Sequence, residues 1–114
     1  MKDKFYVTNL IKNLINSFDK YLTNFPHKEI ELKKEIMFTS YHMLQIAFEA
    51  NTTFDINKRI DIQDKIISYI KYLDYLVNVC YDKKIINSKR YLKFGENLDY
   101  LLKYVIGWQK SSRA

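Results

Sequence analysis

The sequence predicts an all-α fold, an antiparallel up-down four-helix bundle, with residues 1–114 as one domain. Three observations predict it. Apolar residues recur at steps of three and four along four separate segments, the period of one helix face. Two glycines and one proline in 114 residues leave few places for tight turns, which disfavours many short strands. The breaks between the periodic segments are short, so consecutive helices must double back and pack side by side. A chain of this length buries one core and no second one. With 47% apolar and 28% charged residues, its composition is globular and not disordered.

The first stripe runs through Val7, Leu10, Ile11, Leu14, Ile15, Phe18, Tyr21, Leu22 and Phe25. Pro26 breaks it. Proline is tolerated in a first helical turn, where its missing N–H has no partner to lose. Glu29 and Glu31 suit a helix N-terminus electrostatically, so helix 2 is expected to start between Pro26 and Lys28. Its stripe is Leu32, Ile36, Met37, Ser40, Met43, Leu44, Ala47 and Ala50. Asn51 to Asp55 is polar and aperiodic, a loop whose Asp55 suits an N-cap. Helix 3 carries Ile60, Gln63, Ile66, Ile67, Ile70, Leu73, Leu76, Val77 and Cys80. Lys83 and Lys84 place positive charge at its C-terminus. Asn87 or Ser88 caps helix 4, whose stripe is Tyr91, Phe94, Gly95, Leu98, Leu101, Leu102, Val105 and Trp108.

The residues that carry catalysis or hold metals are not arranged for either. His27 and His42 have no metal-ligand spacing, and neither has a glutamate three residues before it, as a bundle di-metal site requires. Cys80 lies on an apolar stripe with no second cysteine for a disulfide, and reads as a small core residue. The two glycines, Gly95 and Gly107, form no phosphate loop. Glu31 and Glu35 stand among Lys28, Lys33 and Lys34, as on a solvated face. The expectation is a protein that is not an enzyme, with no cofactor and no metal. No apolar run approaches the roughly 18 residues of a membrane span, and MKDKFYVTNLIKN is a poor secretory signal. A single cysteine fits a reducing compartment, so a cytoplasmic location is expected.

The charge pattern is more informative. The net charge is +6, which favours an anionic partner. Residues 84–114 hold Lys84, Lys89, Arg90, Lys93, Lys103, Lys110 and Arg113 against Glu96 and Asp99, seven cations less two anions, or five of the six surplus charges. At about 100° per residue, Lys89, Lys93, Lys103 and Lys110 fall within an arc of roughly 100° opposite Leu98 and Val105. Leu92 and Tyr100 project from the same side. Such a face grips phosphates and offers a base a stacking surface. A lysine-rich face that serves only solubility is the other reading, and Glu96 within the arc weakens the field. Binding to a membrane surface is disfavoured, because the apolar face of helix 4 is needed for the core.

Tyr6, Tyr69, Tyr72, Tyr75 and Tyr100 cannot all be buried in so small a bundle. Either they cover a second surface in an oligomer, or they lie at the core edge with their hydroxyls in water.

The run CYDKKIINSKRYLKFGENLDYLLKYVIGWQKS carries a resemblance. Ser88-Lys89-Arg90-Tyr91, Leu98-Asp99 and Gly107-Trp108-Gln109-Lys110-Ser111 stand in the order and spacing of the last helix of the accessory variability (Avd) family. These are bacterial four-helix-bundle proteins that accompany diversity-generating retroelements. Phe25-Pro26 and Glu49-Ala50-Asn51 also resemble that family, so the likeness spans residues 20–112. The chain departs from the pattern at Ile106 and Leu102, where the family has glycines, and at Tyr100, where it has an acid. The bundle proteins encoded in intervening sequences of 23S ribosomal RNA genes are similar in fold and share the Phe-Pro.

The resemblance implies a barrel-shaped homopentamer that binds RNA or DNA and the retroelement's reverse transcriptase, supporting mutagenic copying of a template RNA without a catalytic site. The ribosomal likeness implies instead an assembly module without direct nucleic-acid binding. The residues expected to contact nucleic acid are Lys89, Arg90, Lys93, Lys103, Lys110 and Arg113. Tyr100, Gly107 and Trp108 are expected to make oligomer or packing contacts. Trp108 reads as an anchor closing one end of the bundle. Gly107 reads as a point of close backbone approach or of helix ending.

Overall fold

A computed structural model describes residues 5–113. Among these residues the chain is helical and has no strand. The helices are α1 (Tyr6–Tyr21), α2 (Ile30–Thr52), α3 (Ile56–Asp82) and α4 (Ser88–Arg113), with one 3-10 turn at His27–Glu29 ahead of α2. Each helix packs on the next, and α1 also packs on α4. Among the described residues no Cα of α1 lies within 8 Å of one in α3, and none of α2 within 8 Å of one in α4. The four therefore ring one core, with α2 diagonal to α4. The longest helix has 27 residues, about 40 Å at 1.5 Å per residue, which sets the 45 Å long dimension of the molecule.

The predicted stripes are the core. Ile11, Phe18, Ile36, Met43, Ile66, Leu73, Cys80, Phe94 and Val105 are fully enclosed. Phe18 and Phe94 meet in the core between the end of α1 and the start of α4, ring centroids 5.0 Å apart at a tilt of 58°, a favourable offset geometry. Tyr21 departs from its stripe and is 39% exposed: its ring lies at the edge of the bundle, covered on one side by the Arg90 guanidinium of α4. Thr39, Ile46 and Gln109 are buried although they stand outside the predicted stripes.

Helix ends differ from expectation in detail. Pro26 is extended (φ −59°, ψ 149°), so it precedes the 3-10 turn and does not enter the first turn of the helix. Helix α2 continues through Asn51 and Thr52, which shortens the predicted loop to Thr53–Asp55. Asp55 caps α3 by accepting from the Lys58 amide at 3.2 Å. Asn87 caps α4 by accepting from the Arg90 amide at 2.8 Å.

The end of α3 closes with two bonds. The Lys84 amide donates to the Tyr81 carbonyl, and the Ile85 amide donates to the Cys80 carbonyl, each at 2.9 Å. This is the Schellman arrangement, which places its turning residue in the left-handed region and favours glycine there. Lys84 occupies it, at φ 62°.

Candidate nucleic-acid interface

Helix α4 places its cations in two groups. Lys93, Lys103 and Lys110 are exposed along its outer face, away from Leu98, Leu101 and Val105, which are buried. From Lys89 to Lys110 the helix runs roughly 31 Å, at 1.5 Å per residue. No ion pair joins any of these lysines to a described residue; the pairs present are Lys34–Glu31 and Lys83–Glu29. The field of this face is therefore not neutralised by an ion pair among the described residues. Glu96 and Asp99 are also exposed on α4 and reduce it. Arg113 is exposed at the end of the helix.

Arg90 is unlike the rest. It is half-buried, with its guanidinium 3.3 Å from the centroid of the Tyr21 ring and 5.8 Å from that of Phe94. Stacking occupies the guanidinium face and leaves its edge, where the N–H donors lie. Lys20 also lies over Tyr21, at 5.2 Å. The phenol of Tyr21 is held below its ordinary pKa, chiefly by a hydrogen bond and the charge of Lys20, with Arg90 adding to the effect. Arg90 thus belongs with Lys20 at the α1/α4 end of the bundle and not with the three outer lysines, while Lys89 stands between the two groups. The sequence did not single out Lys20, which lies on another helix. Its only local signal was a place next to a tyrosine at the end of α1.

Tyr100 is 45% exposed, yet its hydroxyl is 2.7 Å from that of Tyr6. Its ring tilts against Tyr104, 4.8 Å between centroids. It ties α4 to α1 and keeps part of its ring in water. Gly107 faces solvent on the lysine side, and a Cβ there would meet nothing within 4 Å. The expected close backbone approach at Gly107 is therefore not made within this chain, because its outward direction carries it away from every other helix. Trp108 packs half-buried against the core, and its carbonyl accepts from the Ser112 hydroxyl at 3.0 Å. Near that end, Gln63 donates to Ser112 at 3.1 Å and Gln109 donates to Asp64 at 2.6 Å.

Of the tyrosines expected to exceed the core, Tyr72, Tyr75 and Tyr100 are exposed, and Tyr6 and Tyr69 are half-buried. A second exposed set lies on α2. Phe38 is 71% exposed and Tyr41 57%, with Phe48 also exposed, and Phe54 is exposed in the loop that follows α2. Phe38, Tyr41 and Phe48 recur near helical period with Gln45 between them, off the core stripe, which is the signal that was available in the sequence. Phe38 stacks on His42, and His42 meets Tyr69 edge-on. This aromatic face lies on the helix diagonal to α4.

Cys80 is fully buried, and its thiol is pushed up to about 11, first by burial and then by the charge of Glu29. A thiol held protonated in this way is a poor nucleophile. No group of three potential metal ligands occurs among the described residues. No described helix is long and apolar enough to cross a membrane. Compared with protein-family models, curated proteins and solved structures, the chain matches none.

Proposed function

We propose that this chain is a non-catalytic nucleic-acid-binding bundle, the accessory protein of a diversity-generating retroelement, acting with its reverse transcriptase on template RNA or its DNA copy in the cytoplasm. The observation that carries the proposal is the outer face of α4, where Lys93, Lys103 and Lys110 are exposed and no described carboxylate pairs with them. Cations left free along about 30 Å of rigid helix match a polyanion that lies along the helix. No binding energy is lost in breaking internal ion pairs. The motif Gly107-Trp108-Gln109-Lys110-Ser111 supports the retroelement assignment.

Two finer points of architecture belong to the same reading. The hydrogen bonds of α4 to α3 at both ends, Tyr91 to Asn78 and Gln109 to Asp64, support an up-down antiparallel course. The exposed rings of α2, with Tyr72 and Tyr75 of α3, support assembly into a homo-oligomer, a pentamer on the family's pattern. The same rings favour the second reading, an assembly module of the ribosomal intervening-sequence kind that does not bind free nucleic acid.

Fluorescence anisotropy with a labelled single-stranded RNA separates the two. Each phosphate neutralised contributes about −0.7 to the slope of log K against log salt for single strands. The wild type, with Lys89, Lys93, Lys103 and Lys110 engaged, is expected to show a slope near −3 on that basis. Lys93→Gln/Lys103→Gln/Lys110→Gln is expected to reduce it to near −1. Binding that is unchanged in slope and affinity by the triple substitution would rule out the α4 face. An oligomer that ignores RNA at low salt would leave the assembly module.

A further inference from the structure

The end of the bundle where α1 finishes and α4 begins contains a hollow of about 420 Å³, lined by Lys20, Tyr21, Asn24, Ile86, Lys89 and Arg90 among others. Its size falls within the roughly 300–1,000 Å³ of small-ligand clefts. Its chemistry is one-sided. Three cations line it and no carboxylate does. Ile85 and Ile86 give it apolar wall, while Thr23, Asn24 and Asn87 supply neutral polar groups. Three positive charges gathered in one concave site repel one another, and a bound anion relieves that repulsion.

We infer that this hollow is a binding pocket for a phosphate monoester, the terminal phosphate of a nucleic-acid strand, held by Lys20, Lys89 and Arg90. The inference rests on the nucleic-acid reading of α4 and deepens it.

The positions of the three cations favour a compact dianion over an extended backbone. They come from two helices and converge, whereas Lys93, Lys103 and Lys110 are strung along one. Arg90 is fixed by its stack on Tyr21, so its N–H edge is pre-oriented and little rotamer freedom is lost when it binds. A terminal phosphate carries more charge than an internal diester, and charge-assisted bonds to it are correspondingly stronger. Lys89 belongs both to the hollow and to the lysine arc of α4, so a strand whose end sits in the hollow leads out toward Lys93. A second hollow of about 710 Å³ shares Asn24, Ile85, Ile86 and Asn87 with the first and adds Tyr81, Asp82 and Lys84. Tyr81 is 39% exposed and already stacks on Tyr91, 4.4 Å between centroids. The terminal base is placed to extend that stack.

The test compares RNA strands of one sequence ending in a phosphate at either end or in hydroxyls only, with inorganic pyrophosphate as a separate probe. The wild type is expected to prefer a phosphate-ended strand on the order of tenfold, the effect of one additional charged hydrogen bond. Lys20→Glu is expected to abolish that preference and to leave the hydroxyl-ended strand bound within about twofold, since Lys20 stands off the α4 face and one exposed charge has a small long-range effect at physiological salt. Lys20 is exposed, so the variant is expected to fold as the wild type does. Pyrophosphate is expected to raise the titration of Tyr21, because a bound anion offsets the cations beside the phenol. Equal affinity of wild type for all strands, with Tyr21 unmoved by pyrophosphate, would overturn the pocket. Pyrophosphate binding that Lys20→Glu removes, with no strand bound at any salt, would keep the hollow as an anion pocket but overturn the strand end as its occupant together with the nucleic-acid reading.

Discussion

Removing the same ring at two sites provides a sharp test of this architecture. Phe94 is fully buried against Phe18, 5.0 Å between centroids, whereas Phe38 keeps 71% of its surface in water. Phe94→Ala loses a full burial and leaves a cavity, a change that costs about 3–5 kcal/mol in tightly packed cores. Phe38→Ala loses under a third of the roughly 1.5–3 kcal/mol of a full burial, hence about 0.5–1 kcal/mol. Urea unfolding followed by circular dichroism at low protein concentration reads both. The unchanged denaturant slope of each variant serves as the check that only stability has moved. At roughly 4 °C per kcal/mol for a chain of this size, Phe94→Ala is expected to lower Tm by about 12–20 °C and Phe38→Ala by only about 2–4 °C. The cycle with Phe18→Ala is expected to show about 0.5–1.5 kcal/mol of coupling to Phe94. A cost below about 1 kcal/mol for Phe94→Ala would refute the packing of α1 on α4 described above. A cost above about 2 kcal/mol for Phe38→Ala would mean that the ring is covered in solution. If that cost also rose with protein concentration, a second subunit would be its cover.

Three further predictions follow from single residues. Lys84→Gly is expected to stabilise the fold by about 1 kcal/mol, since a side chain in the left-handed region costs about 1–2 kcal/mol that glycine avoids; a lowered Tm would refute the strain at φ 62°. Gln63→Met is expected to be neutral or to stabilise by up to about 1 kcal/mol, because Gln63 Oε1 is buried without a partner and Ser112 keeps its bond to Trp108; a loss above 2 kcal/mol would mean that this oxygen is satisfied, for example by water. Tyr21 titrates below the ordinary phenol value through Lys20 first and Arg90 second, so the folded state holds fewer protons than the unfolded one between the two pKa values. The stability from this group is full above the unfolded value and is lost as pH falls through the folded one. Lys20→Gln is expected to move the Tyr21 titration, read by NMR of the labelled phenol, back upward; an unmoved titration would remove Lys20 from the cluster.

The bundle was legible because its core obeys one period. Ile11, Phe18, Ile36, Met43, Ile66, Leu73, Phe94 and Val105 were placed inside by spacing alone, and all are enclosed. The caps at Asp55 and Asn87 were legible for a related reason, since a cap depends on its own next turn. Misplaced features were those decided between helices or by a local backbone choice. Pro26 permits either a first helical turn or an extended residue, and the structure adopts the second. Tyr21 is on stripe by period, but a stripe does not record which partner a facing helix supplies, here the charged Arg90 in place of an apolar side chain. Lys20 and Arg90 are 70 positions apart, and only the packing of α1 on α4 places both in one hollow.

The diagonal arrangement of α2 and α4 gives these separate features one consequence. In a ring of four helices, the outer faces of diagonal members point away from each other, and no Cα of α2 lies within 8 Å of one in α4 among the described residues. The rings of Phe38 and Tyr41 therefore lie opposite Lys93, Lys103 and Lys110. Apolar association through α2 leaves the lysines uncovered, and a polyanion on α4 leaves the rings uncovered. Both surfaces can be occupied at once without competing. An assembly through α2 would then carry several copies of the α4 face, and a strand long enough to reach two of them would gain affinity by effective concentration without any new contact. The two readings separated above by RNA binding are in that geometry compatible on one molecule, and the lysine face alone distinguishes them.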